Sequence, residues 1–318
     1  MTVRMRRRLR VERENVRACG AAMLLIIDAS LDRAMPCIMA GGEALEGRAM
    51  SNHYCLGRID FGVGSSAFWC LDTPGTLVVF LHGFTGAAEA TWHNASAYIR
   101  RDALFSSADV LFLGYDSVRS RARVISRWVL DLFRKLLAEP AEFSNRYIYY
   151  GAQRQPFIYD RVVVVAHSLG GAIMRQVALD LARANDAYAD HIQLLLFAPA
   201  HKGSNALHNA GGMMVGHGIL AALRCGLLYK APILEDLRPK SDFIRDIEAG
   251  TLTRLARGRL RCLVATKITI GQYENIVEPG DFAQDPPFYT VDRRNHTDVC
   301  KSDAGYRRVL DDIEECLR

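Results

Sequence analysis

Residues 162–171 read Val162-Val163-Val164-Val165-Ala166-His167-Ser168-Leu169-Gly170-Gly171. Four consecutive valines form an apolar run without alternation, which suits a strand buried on both faces of a parallel sheet. Leu169 to Ala184 follows directly and reads as a helix. A strand that turns this sharply into a helix needs small neighbours around its apex, because larger side chains would collide there. Ala166, Gly170 and Gly171 meet that need, although a glycine is more usual where Ala166 stands. The serine at the apex is left exposed above the sheet, in the position of a nucleophile.

Working outward, further buried strands are expected at Leu77–Leu81, Val110–Leu113, Gln193–Phe197, Arg261–Ala265 and Phe288–Val291. Short runs at Arg58–Val63 and Ala67–Leu71 suggest a hairpin. Between Val118 and Leu137, Ala122, Ile125, Val129, Phe133 and Leu136 recur at spacings of three and four, the pattern of an amphipathic helix. The segment 140–160 reads as an irregular excursion, and Ala304–Leu317 as a final helix. Strands alternating with helices predict an α/β fold, a mostly parallel sheet with helices on both faces. Residues 205–257 interrupt the alternation. They read as a helical cap insertion over the ligand edge of the sheet, or equally as ordinary packing helices.

A serine hydroxyl needs a base to take its proton. In this strand order the histidine should come late, and His296 lies after the last expected strand and before the final helix. An acid should orient the imidazole. Glu274, in Tyr273-Glu274-Asn275-Ile276-Val277, is the favoured candidate, with Asp281 and Asp285 as alternatives. Two backbone N–H groups should face the developing oxyanion. They are expected from Leu169, after the nucleophile, and from Phe84, in His82-Gly83-Phe84-Thr85-Gly86. His82 is expected to brace that loop rather than to take part in chemistry.

Four segments in order resemble the lipase/esterase-like branch of the α/β-hydrolase superfamily. They are similar to serine-active-site-containing and GPI-inositol-deacylase-like proteins. The segments are Phe80–Gly86 with Trp92, Val165–Gly171, Phe197–Ser204 and His296–Lys301. The third is similar to that branch's "TPHxGS" signature, with Ala198 and Ala200 as departures, and Leu237–Phe243 looks like its cap. The resemblance spans about residues 57–317. It implies the α/β-hydrolase fold and ester or related acyl hydrolysis, with Ser168 and His296 carried over. Glu274 matches a D-x-x-V acid site with Glu in place of Asp.

The substrate is expected to carry an apolar acyl or alkyl part, with Met213 and Leu220 of the insertion among the residues that bind it. Thioesterase, amidase or acyltransferase chemistry on the same residues is an alternative, as is a non-catalytic binding protein. No organic cofactor and no metal is implied. No G-x-G-x-x-G follows the first strand, and the eight cysteines include no C-x-x-C pair. The formal net charge of +5 gathers largely among the arginines of residues 4–17. Composition therefore gives no case for nucleic acid as a partner.

Scattered cysteines point to free buried thiols in a reducing compartment and to a cytoplasmic location, with export as the alternative. An arginine-rich start followed by apolar Ala18–Ile27 resembles a signal peptide. Glu12, Glu14 and Asp28 interrupt that pattern, and no A-x-A site follows it. No apolar run is long enough to span a bilayer, while peripheral membrane contact stays open. Residues 1–49 are expected to be a dispensable or disordered extension, and residues 50–318 to form the hydrolase domain.

Overall fold

The computed structural model describes residues 53–61, 63–148, 153–204, 231–258 and 260–318. The expected extension, Met213, Leu220 and most of the expected insertion lie outside them. The described chain forms an eight-stranded sheet. Its strands are β1 (Tyr54–Phe61), β2 (Ser65–Cys70), β3 (Thr76–Leu81), β4 (Ala108–Leu113), β5 (Arg161–His167), β6 (Ile192–Phe197), β7 (Lys267–Tyr273) and β8 (Tyr289–Asn295). Their spatial order is β1-β2-β4-β3-β5-β6-β7-β8. β1 and β2 form the expected antiparallel hairpin and β2 runs antiparallel to β4, while β4 to β8 are parallel.

The helices are α1 (Ala95–Ile99), α2 (Ala122–Ala138), α3 (Pro140–Asn145), α4 (Leu169–Arg183), α5 (Pro232–Asp236), α6 (Asp242–Leu255) and α7 (Arg308–Leu317). β5 is buried at every residue after Arg161, and β6 along its whole length. Both faces at the sheet centre are therefore covered. α2 and α6 flank α4, whereas α7 packs on β5 and β6 beside α1. The apolar stripe of α2 faces inward as its spacing demands, with Ile125, Val129, Phe133 and Leu136 fully buried.

Two expectations need correction, and one open alternative can be placed in part. The run at 261–265 is buried but is not a strand. Arg261–Leu263 is a 3-10 turn, and the ladder with β6 begins at Lys267 opposite Leu195. The segment 140–160 is not irregular throughout, because Pro140 starts a short helix. This is α3, where a proline without an N–H is tolerated in the first turn. Of the expected cap, residues 242–255 form α6, which packs on the far half of α4. Arg254 Nε donates to the Ala182 carbonyl at 2.9 Å, and a Cβ at Gly250 would meet Leu179 Cδ2 at 2.6 Å. α6 is thus a packing helix of the covering layer, one of the two readings of this stretch, and its Glu248 reaches Lys202 in the loop after β6 at 2.7 Å.

At the edge opposite Ser168, Asp109 of β4 has a fully buried carboxylate. Arg154 grips both its oxygens at 2.6 and 2.7 Å, and Tyr159 and the Cys70 N–H donate to it at 2.6 and 2.9 Å. The stretch before β5 is thereby pinned to the sheet. Cys262, Cys300 and Cys316 are free and buried, and Cys70 is buried.

Candidate active site

Ser168 follows the last residue of β5 and precedes the first of α4. Its backbone is at φ 52°, ψ −117°, a conformation costly for any residue with a Cβ. Three backbone hydrogen bonds hold it there. Its N–H donates to the Phe197 carbonyl, and its carbonyl accepts from Gly171 and Ala200, each at 3.0 Å. The two glycines are required by contact. A Cβ at Gly170 would lie 2.5 Å from the Leu81 carbonyl oxygen, and one at Gly171 2.7 Å from Pro199 Cβ.

The register of the sheet brings the candidate base and acid together. Tyr273 pairs with Asn295 across β7 and β8, and each strand ends there. Glu274 and His296 are the next residues, so they leave the sheet side by side. The chain from His296 then crosses the carboxyl edge of the sheet to Ser302, which bridges to His93 beyond β3. That crossing carries the imidazole over β7 and β6 to β5. His296 Nε2 lies 3.0 Å from Ser168 Oγ, and its Nδ1 lies 2.9 and 3.0 Å from the two Glu274 oxygens.

The Glu274 carboxylate also accepts from the N–H groups of Ile276 and Val277, at 2.8 and 3.0 Å. Burial pushes its pKa up, but the hydrogen bond and charge of His296 and the two N–H groups outweigh burial and leave it below the usual value. An ionised carboxylate at Nδ1 makes Nδ1 the protonated nitrogen, so Nε2 is the acceptor facing the serine.

The other two acid candidates lie elsewhere. Asp281 is exposed. Asp285 forms a buried ion pair with Arg175 and accepts from the Ala265 N–H at 2.7 Å. Burial is the largest influence on both partners, pushing the carboxyl up and the guanidinium down.

Phe84 and Leu169 come from adjacent strand ends, since β3 pairs with β5 in parallel with Leu81 opposite Ala166. Neither N–H has a hydrogen-bond partner among the described residues, while the neighbouring Thr85 N–H is taken by Ser117 Oγ at 3.0 Å. The start of α4 adds the positive end of a helix dipole to the same spot. His82 does not face the serine. It contacts the Gly83 carbonyl through Nδ1, accepts from the Tyr115 N–H through Nε2, and stacks on the Tyr115 ring at 4.0 Å. Burial lowers its pKa to about 4.

Three contributors went unread in the sequence. His167 is one, and Gly203 and Ser204 are the others. Ser204 Oγ donates to the Ile276 carbonyl at 2.8 Å, and the Gly203 carbonyl accepts from Glu278 at 3.1 Å. The turn that holds Glu274 is therefore tied to the loop after β6. The segment Pro199–Ser204 carried a signal for this in its resemblance, but the pairing itself joins residues about seventy positions apart.

Among the described residues, no cluster of three or more His, Cys, Asp or Glu could hold a metal ion, and no helix is long and apolar enough to cross a membrane.

The order of strands, the turn at Ser168 and the arrival of His296 after β8 define an α/β-hydrolase fold. Residues 76–189 match the family model described as alpha/beta hydrolase fold. Comparison with curated proteins finds no match. Among solved structures, the mature lipase BlEst2 of Bacillus licheniformis is similar at 14% identity, over 78% of this chain and 96% of that one, with a TM-score of 0.48. The peroxisomal alpha-beta-hydrolase Lpx1 of Saccharomyces cerevisiae is similar at 14% identity, over 80% and 81%, with a TM-score of 0.48. Phospholipase PlaB of Legionella pneumophila, in complex with thio-NAD, is similar at 19% identity, over 62% and 38%, with a TM-score of 0.42.

Proposed function

We propose that the protein is a lipase/esterase-like serine hydrolase of carboxylic esters that works through an acyl-enzyme. The observation that carries this reading is the hydrogen-bonded chain from Ser168 Oγ through His296 to Glu274. Its chemistry follows from the protonation states. His296 Nε2 takes the hydroxyl proton as Ser168 Oγ attacks the ester carbonyl carbon, and Glu274 stabilises the imidazolium. The carbonyl oxygen becomes negative and is held by the Phe84 and Leu169 N–H groups. His296 returns the proton to the departing alkoxide. Water then attacks the acyl-serine by the same route and releases the acid.

The substrate is a small molecule or lipid ester with an apolar acyl or alkyl part, bound in part by Met213 and Leu220. The protein acts in the cytoplasm, and residues 50–318 suffice for activity. The test is fluorophosphonate labelling together with hydrolysis of p-nitrophenyl acetate, butyrate and octanoate, for the wild type and Ser168→Ala. The wild type should label, and its kcat/KM should rise with chain length. Ser168→Ala should do neither while keeping its fold. An alanine variant within tenfold of wild type would reject Ser168 as the nucleophile.

A further inference from the structure

The crossing that carries His296 spans the carboxyl edge of the sheet between Asn295 and Ser302, with a ladder pair at the first end and a single bridge to His93 at the second. A loop held only at its ends would let the imidazole ride up and down over Ser168. It is also held at the base itself. His167, next to the nucleophile, places its Nε2 2.9 Å from the main-chain carbonyl oxygen of His296. A carbonyl only accepts, so this nitrogen carries the proton. The ring is buried, its centroid 4.9 Å from that of His296. Its Nδ1 has no partner among the described residues and faces Gly83, where a Cβ would approach to 2.9 Å.

We propose that His167 is a positioning residue for the base: its Nε2–H holds the His296 carbonyl and so fixes the height of the crossing loop over Ser168. This rests on the ester-hydrolase reading above. The shortest path between nucleophile and base outside their own contact then runs through one peptide bond, one imidazole and one hydrogen bond. His167 is not a second base. Its protonated nitrogen is occupied, and the other faces backbone instead of the serine. Burial, and next the neighbouring His296, lower its pKa to about 3, so it stays neutral throughout the working range.

The test compares His167→Phe, which fills the space without a donor, with His167→Gln, whose amide N–H can reach the same carbonyl. Rates are expressed per active site counted with a fluorophosphonate, so that partial unfolding does not register. The Phe variant should lose about 10- to 100-fold in kcat, the scale of a small displacement of a reacting group, with KM within about twofold. The Gln variant should recover most of that loss, although it cannot titrate. Side-chain nitrogen NMR of the wild type, which needs no turnover, should show His167 as the Nε2–H tautomer, unchanged between pH 5 and 8. Full kcat in the Phe variant, a Gln variant no better than Phe, or an Nδ1–H tautomer would each overturn the assignment. If the wild type hydrolyses no ester, the functional reading fails and the NMR result decides this one alone. If the Phe variant does not fold, Gln against wild type and the NMR result decide.

Discussion

Glu274 meets His296 Nδ1 with both carboxylate oxygens, at 2.9 and 3.0 Å, while one of those oxygens also receives two backbone N–H groups. The carboxylate is thus oriented by the turn that follows it, and the imidazole by the carboxylate. Glu274→Gln should lower kcat by about 10²–10⁴-fold with little change in KM, because an amide no longer favours the Nδ1–H tautomer or stabilises the imidazolium. Glu274→Asp withdraws the carboxylate by one methylene and should lie between Gln and wild type. Initial-rate kinetics on a p-nitrophenyl ester checks both. An Asp variant as slow as Gln would mean that the length of the side chain matters as much as its charge.

Gly83 sits where the His82–Gly86 loop passes Ser168. A Cβ there would come within 2.9 Å of His167 Nδ1 and 3.0 Å of Ser168 Cβ. Gly83→Ala should push the loop outward and carry the Phe84 N–H with it. The expected loss is about 10²–10³-fold in kcat, the scale of one missing oxyanion donor. Thermal unfolding monitored by circular dichroism should show a much smaller change. A variant with unaltered kcat would remove Phe84 from the proposed oxyanion site.

The Asp109–Arg154 pair lies far from the chemistry and should matter to stability alone. Arg154→Ala strands a fully buried carboxylate and should cost about 3–5 kcal/mol in urea unfolding. Tyr159→Phe removes one hydrogen bond to the same charge and should cost about 1.5–3 kcal/mol. The double variant should fall short of the sum, because both act on one carboxylate.

Acid should weaken the fold before the carboxylates titrate. Burial lowers the pKa of His82 to about 4, and burial with its neighbour His296 lowers that of His167 to about 3. His201 also lies well below its ordinary value, mainly through burial. An unfolded histidine binds its proton near pH 6.5. Below that pH the unfolded chain takes up protons that the folded chain refuses, so stability falls as pH falls. Between pH 6.5 and 5 the loss should be about 2 kcal/mol each for His82 and His167, with His201 adding in the same sense. Asp285 and Asp312, raised chiefly by burial, pull the other way. Urea midpoints at pH 7 and pH 5 provide the check. Equal stability at the two values would contradict the neutral burial of these rings.

The strand–turn–helix at Ser168 was legible because its constraints are local: a valine run, then small residues where a Cβ cannot fit. β7 was misplaced for a physical reason. Cys262, Leu263, Val264 and Ala265 are buried because the chain passes beneath α4, and burial alone does not make a ladder. The true strand begins with Lys267, whose ammonium lies 2.8 Å from Asp312 and 2.7 Å from Glu315 on α7. A polar strand start satisfied by a distant helix does not look like a strand in sequence. Glu274 could be favoured but not separated from Asp285 by position. The separation needed Arg175, more than a hundred residues away. His167 was hidden in plain view, since its partner is a backbone atom and a carbonyl has no sequence signature.

Ser168 holds a backbone conformation, φ 52° and ψ −117°, that disfavours any side chain. Such a conformation costs about 1–3 kcal/mol, and glycine adopts it freely. Ser168→Gly should therefore yield a protein without a nucleophile that melts higher than the wild type. The gain is reduced by about 0.4–1 kcal/mol, because glycine also loosens the unfolded chain. The native sequence is then not the most durable one for its own backbone. Selection for thermal endurance alone would discard this serine, and the proposed role in ester hydrolysis supplies the opposing demand that would keep it.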